Sequence, residues 1–437
     1  MGRLFVLVVF SVVIAACGKV RDNNALDGGC EPGTALSCDG DNLVVCSAAG
    51  EPELTACENG CQPDALVCKC GAAEATCANN MEQVCSADGI PSMRACELGC
   101  FDATRCAEID PTNQLSQFVD DAVTAAELVL NAGDAINTTD GSYTFGGLSM
   151  TLPSFELQAP AGGIQVRVFP LKSFTVTGEI TVTGFHALAI VSAGDIKIEG
   201  IIRQRAGNGP DGNGGGGGFV LCGTGMARIG GQGGGGFAAA GGVGGVATDA
   251  AGGTAGPAVG NRDLVPLRGG GNNAGVSQGG GAIQLVSRTR IEVVNGGGID
   301  AGGLGGQSNN GGGGAGGGIV LEAPTVVVAG AGSVLAANGG GGGCGNNGDV
   351  ITPAENGRLD DVRAAGCQAT LADGGPGGAG ATPAGGAGQS LAGCGVSAAA
   401  GGGAVGRIRI STSSGTFAPG VGGTVTPAPA VSQLGTK

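Results

Sequence analysis

The chain has 437 residues, of which 96 are glycine, and its 21 Lys and Arg stand against 36 Asp and Glu for a net charge of -15. The glycine follows no Gly-X-Y period, which excludes a collagen-like rod, and the charge argues against a nucleic-acid partner, since phosphate binding draws on clustered basic side chains. With no Trp, one Tyr and one His, little side-chain chemistry is on offer, and no cofactor is expected.

The amino terminus reads as an export signal. Met1-Gly-Arg3 is a short positive start, Leu4 to Ala16 is a largely apolar run too short to span a membrane, and Ile14-Ala-Ala-Cys17 closes it. IAAC resembles a bacterial lipobox, in which the cysteine receives lipid and becomes the first residue of the mature protein. That resemblance makes residues 1–16 a signal peptide and Cys17 the lipidation site. Gly18-Lys19 lacks the aspartate that retains such proteins at the inner membrane, which implies an outer-membrane location exposed at the cell surface. Myristoylation at Gly2 fails because Val6 stands where Ser or Thr is needed. Residues 17–29 are polar and turn-rich, a flexible tether.

Two cysteine modules follow. Cys30, Cys38, Cys46, Cys57, Cys61 and Cys68 span residues 30–68, and Cys70, Cys77, Cys85, Cys96, Cys100 and Cys106 span 70–106 with nearly the same spacing. VCSAAG (Val45 to Gly50) returns as VCSADG (Val84 to Gly89), and ACENGC (Ala56 to Cys61) as ACELGC (Ala95 to Cys100), both after 39 residues. Units this small cannot bury enough apolar surface to fold unaided, and disulfides are the usual remedy in an exported chain. Zinc is the competing use of such spacings, but the region has no His and an even cysteine count per module. The spacing leaves the pairing open.

From Pro111 to Gly133 the apolar positions Leu115, Phe118, Val119, Ala122, Ala126, Val129 and Leu130 recur at three- and four-residue steps. This predicts an amphipathic helix within a connector over 107–141, covering the first exposed edge of a sheet structure.

Residues 142–426 alternate strand-like passages with glycine runs. Shifting Gly311 to Gly343 back by 36 residues lays Ile319 on Ile283, Leu321 on Leu285, Val327 on Ile291, Leu335 on Ile299 and Ala337 on Ala301. Earlier and later copies start at Leu188-Ala-Ile190 and Gly406-Arg-Ile408, and SFTVTGEITVTG (Ser173 to Gly184) alternates cleanly. Short strands that cannot each close a core can do so by stacking. The expected fold is therefore mainly β, a glycine-rich right-handed parallel β-solenoid with a capping helix after two small disulfide-rich modules, and residues 427–437 are expected as a flexible tail. Each repeat offers about five inward side chains at roughly 1.5 to 3 kcal/mol, against backbone ordering at roughly 1 to 2 kcal/mol per residue, so side-chain burial cannot order the glycine runs. They are expected to loop outward, the alternative being association through backbone hydrogen bonds as polyproline-like strands. Cys222, Cys344, Cys367 and Cys394 lie in these insertions and suggest two further disulfides.

The lipobox, the paired cysteine repeats and the pattern GGxIxLxAPTVxVxGxGxLxANGGGGG together resemble the glycine-rich surface lipoproteins of myxobacterial type, and the last pattern also resembles the solenoid stretches of large bacterial adhesins. The resemblance implies a non-enzymatic envelope protein, structural or adhesive, whose partners are the membrane through its lipid and an envelope polysaccharide or another surface protein. A glycan- or protein-binding module is the alternative. Because β-helices also carry polysaccharide-cleaving sites, the polar candidates matter: His186 in a strand pattern, and Asp195, Lys197, Glu199, Arg203 and Arg205 alternating along DIKIEGIIRQR. The alternation places Asp195, Lys197 and Glu199 on one face, as on any solvated strand. The aspartate of GGGID (Asp300) has the wrong spacing for a calcium repeat.

Overall fold

The computed structural model describes residues 30–71, 75–158, 164–205, 209–216, 218–221, 226–273, 277–306, 310–345 and 350–437. The signal segment, Cys17, the tether and Cys222 lie outside them. The chain is mainly β and divides into two compact units, one of residues up to 77 with 82–94, the other of 78–81 with 95–437.

In the cysteine-rich region, Ala35–Asp39, Asn42–Cys46 and Pro52–Ala56 form a three-stranded antiparallel sheet. It is stapled by Cys30–Cys46, Cys38–Cys61 and Cys57–Cys68. The second module repeats the order of three strands, with Thr76–Ala78, Met81–Cys85 and Pro91–Ala95. Its bridges Cys70–Cys85 and Cys96–Cys106 repeat the outer two, and Cys77 and Cys100 are also disulfide-bonded. Oxidation of all twelve sulfurs removes the thiolates that zinc would need.

In the larger unit three sheets each take one strand from successive passes of the chain. The seven-stranded sheet runs in the order Phe155–Leu157, Val166–Leu171, Ala187–Ser192, Ala282–Ser287, Gly318–Glu322, Arg407–Thr412, Ala430–Gln433, and all but its first pairing are parallel. The five-stranded sheet is wholly parallel: Glu127–Leu130, Ser173–Val176, Ile196–Ile198, Arg290–Val293, Thr325–Val328. The eight-stranded sheet starts with the hairpin of Leu148–Thr151 and Ser142–Phe145. It continues through Ala135–Asn137, Ile180–Thr183, Ile201–Arg203, Gly298–Asp300, Ser333–Ala336 and Gly423–Thr426.

Register puts like on like. Phe169, Ile190, Leu285, Leu321 and Ile410 form consecutive rungs in one sheet. Leu128, Phe174, Ile196, Ile291 and Val326 do so in the second, and Ile180, Ile202, Ile299, Leu335 and Val425 in the third. These stacks meet in one buried cluster. The repeat alignment of Ile283 with Ile319 and Leu285 with Leu321 is observed. One position is corrected: Ile291 pairs with Val326 and not Val327, because the corner before Thr325–Val328 is one residue shorter than its counterpart, and the next corner restores the count.

The amphipathic helix expected from Pro111 to Gly133 does not form. The segment instead has two 3-10 turns, Ser116–Phe118 and Asp121–Thr124, and then becomes the first strand of the five-stranded sheet. Asn113 and Gln114 adopt left-handed φ values of 57° and 63°, which breaks any helix at its start. Leu115, Phe118, Val119 and Ala122 are buried as the apolar spacing foretold, but against the outer side of the seven-stranded sheet, on Val166, Val168, Ala189 and Val320. Ala126 and Val129, expected on the same face, are exposed, because the two-residue period of the strand buries Leu128 and Leu130. That sheet is thereby covered on both faces. The edge that a helix was expected to cap is extended by Glu127–Leu130 instead.

The last residues are no loose tail. Ala430–Gln433 closes the seven-stranded sheet, Leu434 is buried, and Lys437 and Glu108 exchange both backbone hydrogen bonds, at 2.9 and 3.0 Å. A strap from Glu108 to Ala125 thus runs from the last strand of that sheet across its outer face.

Candidate binding surface

The glycine runs decide what this unit presents, and the expectation that they loop outward is overturned. In residues 398–406 every third amide finds the same neighbour. Ala400, Gly403 and Gly406 donate to Gly343, Gly340 and Ala337; Gly401 and Ala404 to Gln232 and Gly235; Gly402 and Val405 to Gly386 and Pro383. The carbonyls repeat the pattern: Ala399 and Gly402 accept from Gly245 and Gly242, Ala400 and Gly403 from Gly375 and Gly378, Gly401 and Ala404 from Gly313 and Gly316. One run is therefore ringed by six others, with the three-residue turn of a polyproline-II helix. Here backbone donors are satisfied between runs, about 1 kcal/mol net apiece, which offsets much of the ordering cost that side-chain burial could not meet.

Packing leaves no room for a side chain at the inner positions. A Cβ at Gly231 would stand 1.8 Å from the Ala399 carbonyl oxygen, at Gly403 1.9 Å from that of Gly314, and at Gly374 1.9 Å from that of Gly342. Where a run borders solvent, the sequence departs from glycine at every third residue. Ala240, Val243 and Val246 form one exposed row. Gly388 and Leu391 donate to the carbonyls of Val243 and Val246, placing the row Ala384, Ala387 and Ser390 alongside, and Gly244 and Gly241 donate to Gly253 and Gly256, which brings in Ala251, Thr254 and Pro257. Within a row the side chains recur about every 9 Å. The result is a regular array of methyl and hydroxyl groups on a backbone lattice. Cys344–Cys367 ties two of the runs together at buried positions, and Cys394 is also disulfide-bonded.

The polar residues singled out in DIKIEGIIRQR separate onto two sheets. Asp195, Lys197 and Glu199 share the outer face of the five-stranded sheet as expected, each already engaged. Asp195 accepts from Thr289 Oγ1 at 2.5 Å, and Glu199 accepts from Lys197 Nζ at 2.8 Å and Asn295 Nδ2 at 2.7 Å. The Lys197 contact, with Asn295 second, holds the Glu199 carboxyl below its ordinary range and raises Lys197 in turn. Arg203 ends a strand of the eight-stranded sheet and Arg205 lies two residues beyond it, and both pair with the fully buried Asp300, at 2.5 and 2.8 Å. Asp300 also caps the amide of Gly302 at 2.9 Å. Its role was invisible in sequence, where it was only the end of GGGID. His186 is half-buried, its amide near Thr138 Oγ1 and its Nδ1 without a hydrogen bond among the described residues.

Beneath the strap lies a second polar cluster that sequence reasoning missed. Glu322 is salt-bridged to Arg409 and accepts from Gln284 Nε2 at 2.6 Å and from Thr112. Burial pushes its carboxyl up against the pull of Arg409. Asn113 adds a hydrogen bond to Gln284 at 2.9 Å and accepts from Leu267 N. Strap, sheet and the Leu264 loop are thus tied together.

No family model, no curated protein and no solved structure matches the chain.

Proposed function

We propose that this is a lipid-anchored protein of the outer cell envelope, structural or adhesive and without enzymatic activity. In chain order the cystine-rich modules follow the anchor at Cys17 and precede a right-handed β-solenoid. Three features support the solenoid reading: three sheets share successive passes of the chain, their apolar rungs are in register, and parallel crossovers are right-handed almost without exception.

The observation that carries the functional reading is the glycine lattice. A lattice held by backbone hydrogen bonds needs no large side chains to be rigid, and it turns long insertions into a regular rim suited to contact with an extended partner. Loops kept for catalysis need convergent polar groups instead, whereas this rim bears Ala, Val, Thr, Ser and Pro. The pairs at Asp195, Lys197, Glu199 and Asp300 are mutually satisfied, as in a solvated or structural setting.

Mass spectrometry of the mature protein, with antibody labelling of an epitope at Val243 to Val246 on intact cells, tests this. An acylated Cys17 and labelling without permeabilisation are expected. A soluble product that starts elsewhere, or an epitope reached only in lysed cells, would overturn the reading.

A further inference from the structure

We propose that the cleft where the glycine lattice meets Arg407–Thr412 binds an oxyanion, with Arg262 and Arg407 supplying the positive charge. The cleft is about 340 Å³, and Arg262, Arg407, Pro383, Gly406, Pro427 and Pro429 are among its lining residues. Among the described residues no acidic side chain lines it. Asp263, next to Arg262, is exposed outside the lining, as is Asp361, whose carbonyl approaches Gly380.

The two arginines stand out by what they lack. In a chain with 36 acidic side chains, Arg94, Arg167, Arg203, Arg228, Arg290 and Arg409 each meet a carboxylate. Arg407 does not. Its Nη2 faces the backbone carbonyls of Val259 at 3.2 Å and Phe237 at 3.5 Å, its guanidinium lies 5.5 Å from the centre of the Phe237 ring, and its Nε is buried with no acceptor. Arg262 is exposed and makes no hydrogen bond or ion pair among the described residues. Arg363, just behind the turn that carries Pro383, likewise bonds only to carbonyls, those of Gly377, Pro376 and Ala384. Unneutralised positive charge thus gathers at one place on an acidic molecule.

The walls select for charge. Proline rings and glycine backbone offer few groups to read neutral hydroxyls, while a guanidinium fork fits a carboxylate or phosphate edge-on. The volume suits a single sugar-sized group. A sugar acid and a phosphate share this chemistry, and the binding belongs to the folded chain whether or not that chain is membrane-anchored.

Calorimetric titration of the purified full chain with inorganic phosphate, galacturonate and neutral galactose tests the proposal. Saturable binding of phosphate, galacturonate or both is expected, weakened by salt and absent with galactose; which anion binds identifies the source. Arg262→Ala should lower affinity about tenfold and Arg262→Glu should abolish binding, with melting temperatures at the parent value because Arg262 is exposed and unpaired. Arg407→Lys, which keeps charge and loses the guanidinium's hold on the Phe237 and Val259 carbonyls, should bind more weakly than the parent. No saturable binding of either anion, or binding unchanged in Arg262→Glu, would overturn the site.

Discussion

The amide of Gly403 donates to the carbonyl of Gly340 at 2.8 Å, joining two glycine runs that are distant in sequence. The same Gly403 leaves only 1.9 Å between the position of a Cβ and the Gly314 carbonyl oxygen. Hydrogen bond and lack of space together explain why glycine, the residue least able to stabilise a core by burial, forms the interior of this lattice.

Gly403→Ala should therefore destabilise the protein by about 3 kcal/mol, since overpacked sites force the backbone apart. Val243→Ala on the rim, where the side chain is 51% exposed, should change stability by no more than about 0.5 kcal/mol. Denaturant melts of the two variants decide it. Equal effects would mean that the runs do not pack as a lattice.

A second contrast concerns the rungs. Leu321 is fully buried between Leu285 and Ile410, so Leu321→Ala should cost about 2 to 5 kcal/mol by leaving a cavity. Val327→Ala, one position past the buried Val326 and on the outer face, should cost well under that. A larger loss at Val327 in thermal melts would restore the alignment read from the 36-residue shift.

What the sequence made legible follows from period. Alternation in Ser173 to Gly184 and the match of Leu285 to Leu321 announced stacked strands, since a buried aliphatic must return at each pass. Corner lengths carry no such signature, so Val326 and Val327 could not be told apart. The apolar spacing marked Leu115, Phe118, Val119 and Ala122 as buried in the wrong conformation and misplaced Ala126 and Val129, which are exposed, because the left-handed turn at Asn113 and Gln114 is set by tertiary hydrogen bonds to Gln284 and the Leu264 loop. Glycine runs hid most. Their three-residue period is visible only where rim residues interrupt it, as Val243 and Val246 do, and elsewhere the partners are chosen by contact in space. The same holds for Arg407, whose lack of an acidic partner is a fact of three dimensions.

Acid should weaken the protein through Glu179. Its hydrogen bonds from Arg203, with the charges of Arg203 and Arg205 behind them, hold its carboxyl below the ordinary 4.5. A depressed folded value means that the stabilisation is present above 4.5 and lost as pH falls through the lower, folded value. Melting temperature should fall across that window, and Glu179→Gln should show a shallower fall there from a lower starting point at neutral pH. A variant with the parent's full slope would remove Glu179 as a contributor.

The cystine framework predicts its own map. Digestion without reduction should yield Cys30–Cys46, Cys38–Cys61 and Cys57–Cys68 as linked peptides, with Cys70–Cys85 and Cys96–Cys106 from the second module and Cys344–Cys367 from the lattice. Replacing Cys57 and Cys68 together by Ala should cost about 2 to 4 kcal/mol within that module. Free thiols at these positions in the purified protein, detected by alkylation before unfolding, would refute the framework.

The buried pair beneath the strap offers the sharpest energetic test. Glu322 and Arg409 are 2% and 6% exposed at their side chains, and burial, the strongest influence on Glu322, raises its carboxyl despite the nearby guanidinium. With both charges taken out of water, the pair fixes the strap's position more than it adds to stability. Glu322→Ala should thus cost about 3 to 5 kcal/mol, because it leaves Arg409 charged and unpaired in a closed site, whereas Glu322→Leu combined with Arg409→Met should come within about 1 kcal/mol of the parent or exceed it. Denaturant unfolding of the parent, Glu322→Leu, Arg409→Met and the double variant closes the cycle, with Glu322→Ala measured beside it. Proteolysis between Glu108 and Ala125 reports separately on the strap, which should be cut faster in the single variants than in the double. If the double variant is as unstable as Glu322→Ala alone, the ion pair is a net source of stability and the desolvation argument fails.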